Sequence, residues 1–123
     1  MNNNQIDITK YRGNNSTSYT GRPEGKNARE NAKLDDFDTD QNVYTVLIPK
    51  GTTAFNPSFF LGFFFDTIKK LGIEEFEEKY ILTFQNENEN ELNKKRVLRD
   101  IEEGKRHAKN QLQPKTGFFK FLK

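Results

Sequence analysis

Apolar residues are concentrated between Val43 and Phe84, with polar sequence on both sides. Val43–Ile48 is β-branched, aromatic or aliphatic almost without a break. That run predicts a strand covered on both faces, as at the centre of an α/β sheet. Pro49 ends it, because proline cannot donate to a ladder. After a loop over Lys50–Phe55, Asn56 is a good N-cap and Pro57 suits the first helical position. A helix is predicted from Pro57 to about Leu71, closed by Gly72, with Lys69 and Lys70 complementing its dipole. Lys79–Phe84 predicts a second strand.

The flanks carry weaker patterns. Ile6 and Ile8 alternate within Gln5–Tyr11, which predicts a short strand. Arg12–Gly25 reads as a loop, Lys26–Leu34 as a short, lightly packed helix, and Asp35–Asn42 as a polar turn. Gln85–Asn90 is another turn. Glu91 to about Asn110 predicts a charged helix with a thin stripe of Leu92, Val97, Leu98 and Ile101. Residues 1–4 are expected to be disordered. Residues 5–110 form one α/β domain, and 111–123 a linker and an apolar-basic tail. Strand, buried helix, strand and surface helix in that order favour an α/β layer with at least one parallel crossover.

The Pro57–Leu71 helix is apolar nearly all round. Phe60, Phe63, Phe64 and Leu71 share one face with Ile68 beside it, while Phe59, Leu61 and Phe65 point elsewhere. Such a helix must be buried on several sides. One side suits the sheet; the other suits a neighbouring helix, a second copy of the chain or a partner. Gly62 costs roughly 1 kcal/mol of helix propensity, which points to a close approach by another backbone or side chain. Ser58 sits in the first turn, where it can cap the helix, and where free N–H groups would also favour a phosphate.

Composition narrows the classes. At 123 residues, 33% hydrophobic and 31% charged, the chain suits a single domain with a modest core. The net charge of +2 makes no electrostatic case for nucleic acid. Lys94, Lys95 and Arg96 sit beside Glu89, Glu91, Asp100, Glu102 and Glu103 as a solvated mixed face. The absence of cysteine excludes disulfides and thiol chemistry. Met1-Asn2-Asn3-Asn4 carries no signal pattern, and Phe59–Phe65 is far shorter than the roughly 20 residues that span a bilayer. A cytoplasmic protein without a transmembrane segment is expected.

Motifs of catalysis fall short. Gly21-Arg22-Pro23-Glu24-Gly25-Lys26 has three residues between its glycines where a phosphate loop has four, and Asn27 replaces the Mg²⁺-binding hydroxyl. Asp36, Asp38 and Asp40 have calcium-loop spacing, but Gln41 and Leu47 occupy the positions of the required Gly and Glu. His107 is the single histidine, with no ligand or nucleophile pattern around it. Glu74, Glu75, Glu77 and Glu78 are not placed in an apolar cleft by anything in the sequence. No enzyme activity and no cofactor are expected.

One resemblance draws these segments together. Val43-Tyr44-Thr45-Val46-Leu47-Ile48, followed by Asn56-Pro57-Ser58-Phe59-Phe60-Leu61-Gly62-Phe63-Phe64, resembles the strand–loop–helix of small bacterial and phage STAS-like proteins, relatives of the anti-sigma-factor antagonists. Gly21–Glu30 is similar to that family's Gly-Arg loop and first helix, and Glu75–Phe84 to its next strand. The resemblance covers roughly Ile6 to Phe84. It implies a small mixed sheet with helices packed mainly on one side. It also implies a non-enzymatic regulatory role beside a histidine-kinase-like ATPase, with Ser58 at the phosphorylated position. The chain departs from the family in Ile48-Pro49-Lys50, where an acidic strand end is usual, and in a longer following loop. On this reading Asn56, Ser58, Phe59, Gly62 and Phe63 bind the partner. Phe118 and Phe119 of the tail either dock on a partner or a membrane surface, or belong to a segment that folds back or stays disordered. The alternatives are a phage or mobile-element inhibitor of a host protein, and an unrecognised nucleic-acid enzyme built on tertiary carboxylates.

Overall fold

The computed structural model describes residues 4–12, 16–85 and 90–112. Its elements are β1 (Gln5–Asp7), a 3-10 turn (Thr9–Arg12), β2 (Ser18–Tyr19), α1 (Arg22–Ala32), α2 (Leu34–Asp38) and β3 (Tyr44–Ile48). They continue with β4 (Ala54–Phe55), α3 (Pro57–Leu71), α4 (Ile73–Lys79), β5 (Tyr80–Phe84) and α5 (Glu91–Leu112).

The α/β class is as expected. One sheet has the order β1-β3-β5 and a second pairs β2 with β4. All of these pairings are parallel, with Ile6 opposite Val46, Val46 opposite Leu82, and Tyr19 opposite Phe55. The antiparallel strand that a mixed sheet needs is not among the described residues. The crossovers β1→β3 and β3→β5 step across the sheet in one direction. Crossovers of a common hand then put their helices on one face.

Burial along the strands follows from this. Tyr44, Val46 and Ile48 are buried while Thr45 and Leu47 between them are half-buried. On β5, Tyr80 is buried and Ile81 and Thr83 are exposed. The expectation that β3 is covered on both faces is therefore corrected. Its β-branched run encodes an extended conformation, and the helices cover a single side of it.

The segments around the core are more ordered than their composition implies. The Arg12–Gly25 region contains β2 and the start of α1, which begins at Arg22 rather than Lys26. Gly21, at φ 93°, turns the chain into α1, and Pro23 sits in its first turn. Asp35–Asn42 holds most of α2, Lys50–Phe55 ends in β4, and α4 follows α3 directly after Gly72 at φ 86°. Asn4, expected to be disordered, accepts the Thr45 N–H at 3.0 Å through its carbonyl. Helix α5 runs to Leu112, beyond Asn110, and takes the first residues of the expected linker.

The core is aromatic. Phe55, Phe59, Phe60, Phe63, Phe64 and Phe76 are all fully buried. Their rings contact one another at 4.6–6.4 Å between centroids, mostly tilted or edge-on, the arrangement that ring quadrupoles favour. The all-round apolar helix α3 thus has its second side covered within the chain, by α1 and α5.

Candidate functional site at the start of α3

Strands β2 and β4 lie side by side and parallel, and each leads directly into a helix, α1 and α3. The amino ends of the two helices consequently emerge together. The helices touch backbone to backbone. A Cβ on Gly62 would lie 2.2 Å from the Arg22 carbonyl oxygen, and one on Gly25 would lie 2.3 Å from that of Phe59. Only glycine at both positions allows this crossing.

Ser58 bridges the two helix starts. Its Oγ accepts the Gly21 N–H at 3.1 Å and donates to Asn56 Oδ1 at 2.6 Å. Asn56 Oδ1 also accepts the Ser58 N–H at 2.8 Å, which is the N-cap expected of this residue. The Asn56 N–H is anchored on the Tyr19 carbonyl at 2.8 Å, and the Phe55 N–H on Asp100 Oδ2 at 3.0 Å. Asn56 is exposed and Ser58 half-buried. On α1, the Arg22 guanidinium lies over the Phe65 ring, 5.3 Å from its centroid.

Of the residues expected to meet a partner, Asn56 and Ser58 reach the surface. Phe59 and Phe63 are wholly internal, and Phe59 packs on Tyr19 at 5.0 Å. Gly62 does admit a second backbone, but that backbone is α1 of the same chain. Phe118 and Phe119 lie outside the described residues.

A second polar constellation has no signature in the sequence. Asp38 is fully buried. Its Oδ1 accepts from Thr67 Oγ1 and the Tyr80 hydroxyl, each at 2.7 Å. Its Oδ2 accepts from Arg29 at 2.5 Å and from Lys70 at 3.2 Å. Arg29, itself 4% exposed, also donates to Thr67 Oγ1, to the Phe63 carbonyl and to Asp35. Burial and the neighbouring Asp38 carboxylate push the Tyr80 hydroxyl well above its ordinary value. For Arg29, burial works against the charge, but hydrogen bonds to Asp35 and Asp38 outweigh it and raise its pKa. With the carboxylate saturated by donors, this cluster ties α1, α2, α3 and β5 together and presents no reacting group to a cleft.

The three aspartates with calcium-like spacing diverge. Asp38 points inward, Asp36 is exposed, and Asp40 accepts from the Tyr44 hydroxyl and from Lys79 at 2.9 Å. Desolvation raises the Asp40 pKa, but bonds from Tyr44 and Lys79 prevail and hold it at about 2. Among the described residues no group of three or more His, Asp or Glu side chains is placed to hold a metal. His107 is half-buried on α5, 3.6 Å from Glu103. Glu74, Glu75 and Glu78 border a groove of about 350 Å³ but are themselves exposed. No helix among the described residues is long and apolar enough to cross a membrane.

Compared with protein-family models, curated proteins and solved structures, the chain matches none.

Proposed function

We propose that this chain is a non-enzymatic regulatory module that binds a protein partner at the paired starts of α1 and α3. A histidine-kinase-like ATPase is the partner class implied by the STAS-like resemblance. The observation that carries the reading is Ser58, half-buried between two helix amino ends and next to the exposed cap Asn56. The N–H groups at the start of α3 favour negative charge there, while at the start of α1 the Glu24 carboxylate already lies against Gly21. A phosphate on Ser58 would place negative charge at the start of α3 and would displace the hydroxyl's bonds with Asn56 and Gly21. The surface would then change sign and shape without any change in the core beneath it. A cysteine-free chain suits the reducing cytoplasm in which such a switch would act.

Affinity purification of the chain from its native cells, followed by binding measurements on Ser58 variants, tests this. Ser58→Ala should keep the partner and Ser58→Asp should release it, with both variants folded by circular dichroism. If both bind like the parent protein, the surface is wrongly assigned.

A further inference from the structure

Strand β5 stands last in the order β1-β3-β5, and among the described residues no strand pairs with its outer edge. In the parallel ladder with β3, the Gln85 N–H donates to the Ile48 carbonyl at 2.8 Å. Alternation along the strand then turns the backbone groups of Ile81 and Thr83 toward β3, and those of Tyr80, Leu82 and Phe84 outward. The Tyr80 N–H is already used, because it donates to the Phe76 carbonyl at the end of α4. The outer edge therefore offers the Tyr80 carbonyl and both backbone groups of Leu82 and Phe84. Nothing blunts it, since Tyr80–Phe84 contains no charge and no proline. Helix α5 stands off from the strand across a groove of about 190 Å³, with Leu82 on one side and Leu98 and Ile101 on the other. Ile81 is 42% exposed and Leu98 50%.

These free groups are complementary to those of a second copy. With two such edges antiparallel about a two-fold axis at Leu82, Leu82 and its counterpart would exchange both N–H···O bonds. Each Phe84 N–H would meet the other copy's Tyr80 carbonyl. The donor that finds no use in this register is the Tyr80 N–H, the one already bonded within the chain. A two-fold contact sets the same patch against itself, so uncompensated charge along the edge would oppose it. The charged side chains that line the groove neutralise one another: Lys105 bridges Glu77 at 2.8 Å and Glu102 at 3.1 Å. Between the bonded pairs, Ile81 would lie opposite Thr83 of the other copy, and both are exposed and uncharged. We infer that the chain self-associates through β5, joining two three-stranded sheets into one continuous sheet with Leu82 at the two-fold axis. A contact one strand long belongs with the small, reversible interfaces. This inference is independent of the reading of Ser58.

Sedimentation equilibrium of the full chain over a range of concentrations, with amide hydrogen exchange followed at each, tests this. The expected result is a reversible monomer–dimer equilibrium. The Leu82 and Phe84 amides should gain protection as the dimer forms, while those of Ile81 and Thr83, bonded to β3 in both states, stay unchanged. Ile81→Lys with Thr83→Lys sets like charges directly opposite across the seam and should weaken the dimer roughly tenfold. Ile81→Glu with Thr83→Glu should do the same, and an equimolar mixture of the two doubly substituted proteins should associate again. Both positions are exposed, so each variant should keep the circular dichroism spectrum of the parent. A parent chain that stays monomeric throughout overturns the inference and leaves the edge to a strand from another protein. A dimer in which the Leu82 and Phe84 amides gain nothing overturns it in favour of another face. Full protection of those two amides in the monomer overturns it too, since the edge is then covered within the chain.

Discussion

Asp38 is the buried anion at the centre of the polar cluster, with four donors on its two oxygens and a side chain with no exposure to water. A buried carboxylate is tolerated only while its lone pairs are satisfied. Asp38→Ala leaves Arg29 buried with its main counter-charge removed, and should cost about 3–5 kcal/mol. Thr67→Ala removes one hydroxyl that both donates and accepts, and should cost about 1–3 kcal/mol. Combining Asp38→Ala with Arg29→Met should cost less than the two single changes added together, since the charges are then removed as a pair. Urea denaturation of the four variants checks all three statements. An Asp38→Ala protein as stable as the parent would show that the cluster is ornamental to the fold. Whole-domain stabilities are about 5–15 kcal/mol, so the first change alone removes a large share.

At the scale of elements, the α1–α3 crossing gives opposite signs for propensity and packing. Propensity alone would have Gly62→Ala gain roughly 1 kcal/mol. The added Cβ, however, would meet the Arg22 carbonyl at 2.2 Å and the Lys26 nitrogen at 2.8 Å, and backbone atoms cannot rotate away. We expect a net loss of about 1–3 kcal/mol for Gly62→Ala, and a similar loss for Gly25→Ala. The two together should fall short of the sum, because one separation of the helices accommodates both methyls. Thermal melting of the three variants would decide the sign. The same helix illustrates what a sequence discloses. Asn56-Pro57 and Gly72 bracket a long apolar run, so the bounds of α3, its cap and the need for a close neighbour at Gly62 were readable. The bounds of β3 and β5 were nearly so. Helix α2 and strands β2 and β4 were not, because two to five residues are too few to display a period. The Asp38 cluster was invisible for another reason. Arg29, Asp38, Thr67, Lys70 and Tyr80 come from four elements, and only the tertiary fold brings them together. Nor could sequence tell whether the neighbour at Gly62 was a partner or α1. A short helix carrying Gly25, Ala28 and Arg29 on its buried face was the available signal.

For the molecule as a whole, charge balance sets the response to acid. With 20 basic and 18 acidic side chains the neutral-pH protein is nearly balanced, and protonating the carboxylates leaves the basic charge uncompensated. Several carboxylates resist protonation in the folded state. Asp7 is held down by the Thr9 hydroxyl, Asp35 by Arg29, and Asp40 at about 2 against an ordinary 3.8, by Tyr44 and Lys79 despite desolvation. A depressed folded-state pKa contributes stability that is fully present above the unfolded value and disappears as pH falls through the folded one. The loss attributable to Asp40 should therefore begin near 3.8 and be complete below about 2. Asp40→Asn isolates this contribution. Near neutral pH the variant should be less stable than the parent, and the gap should close as pH falls through that window. Denaturant midpoints measured for both proteins across the acid range check it. A gap that stays constant with pH would mean that the Tyr44 and Lys79 bonds do not depend on the charge of Asp40, and the acid sensitivity of the fold would have to come from the other carboxylates.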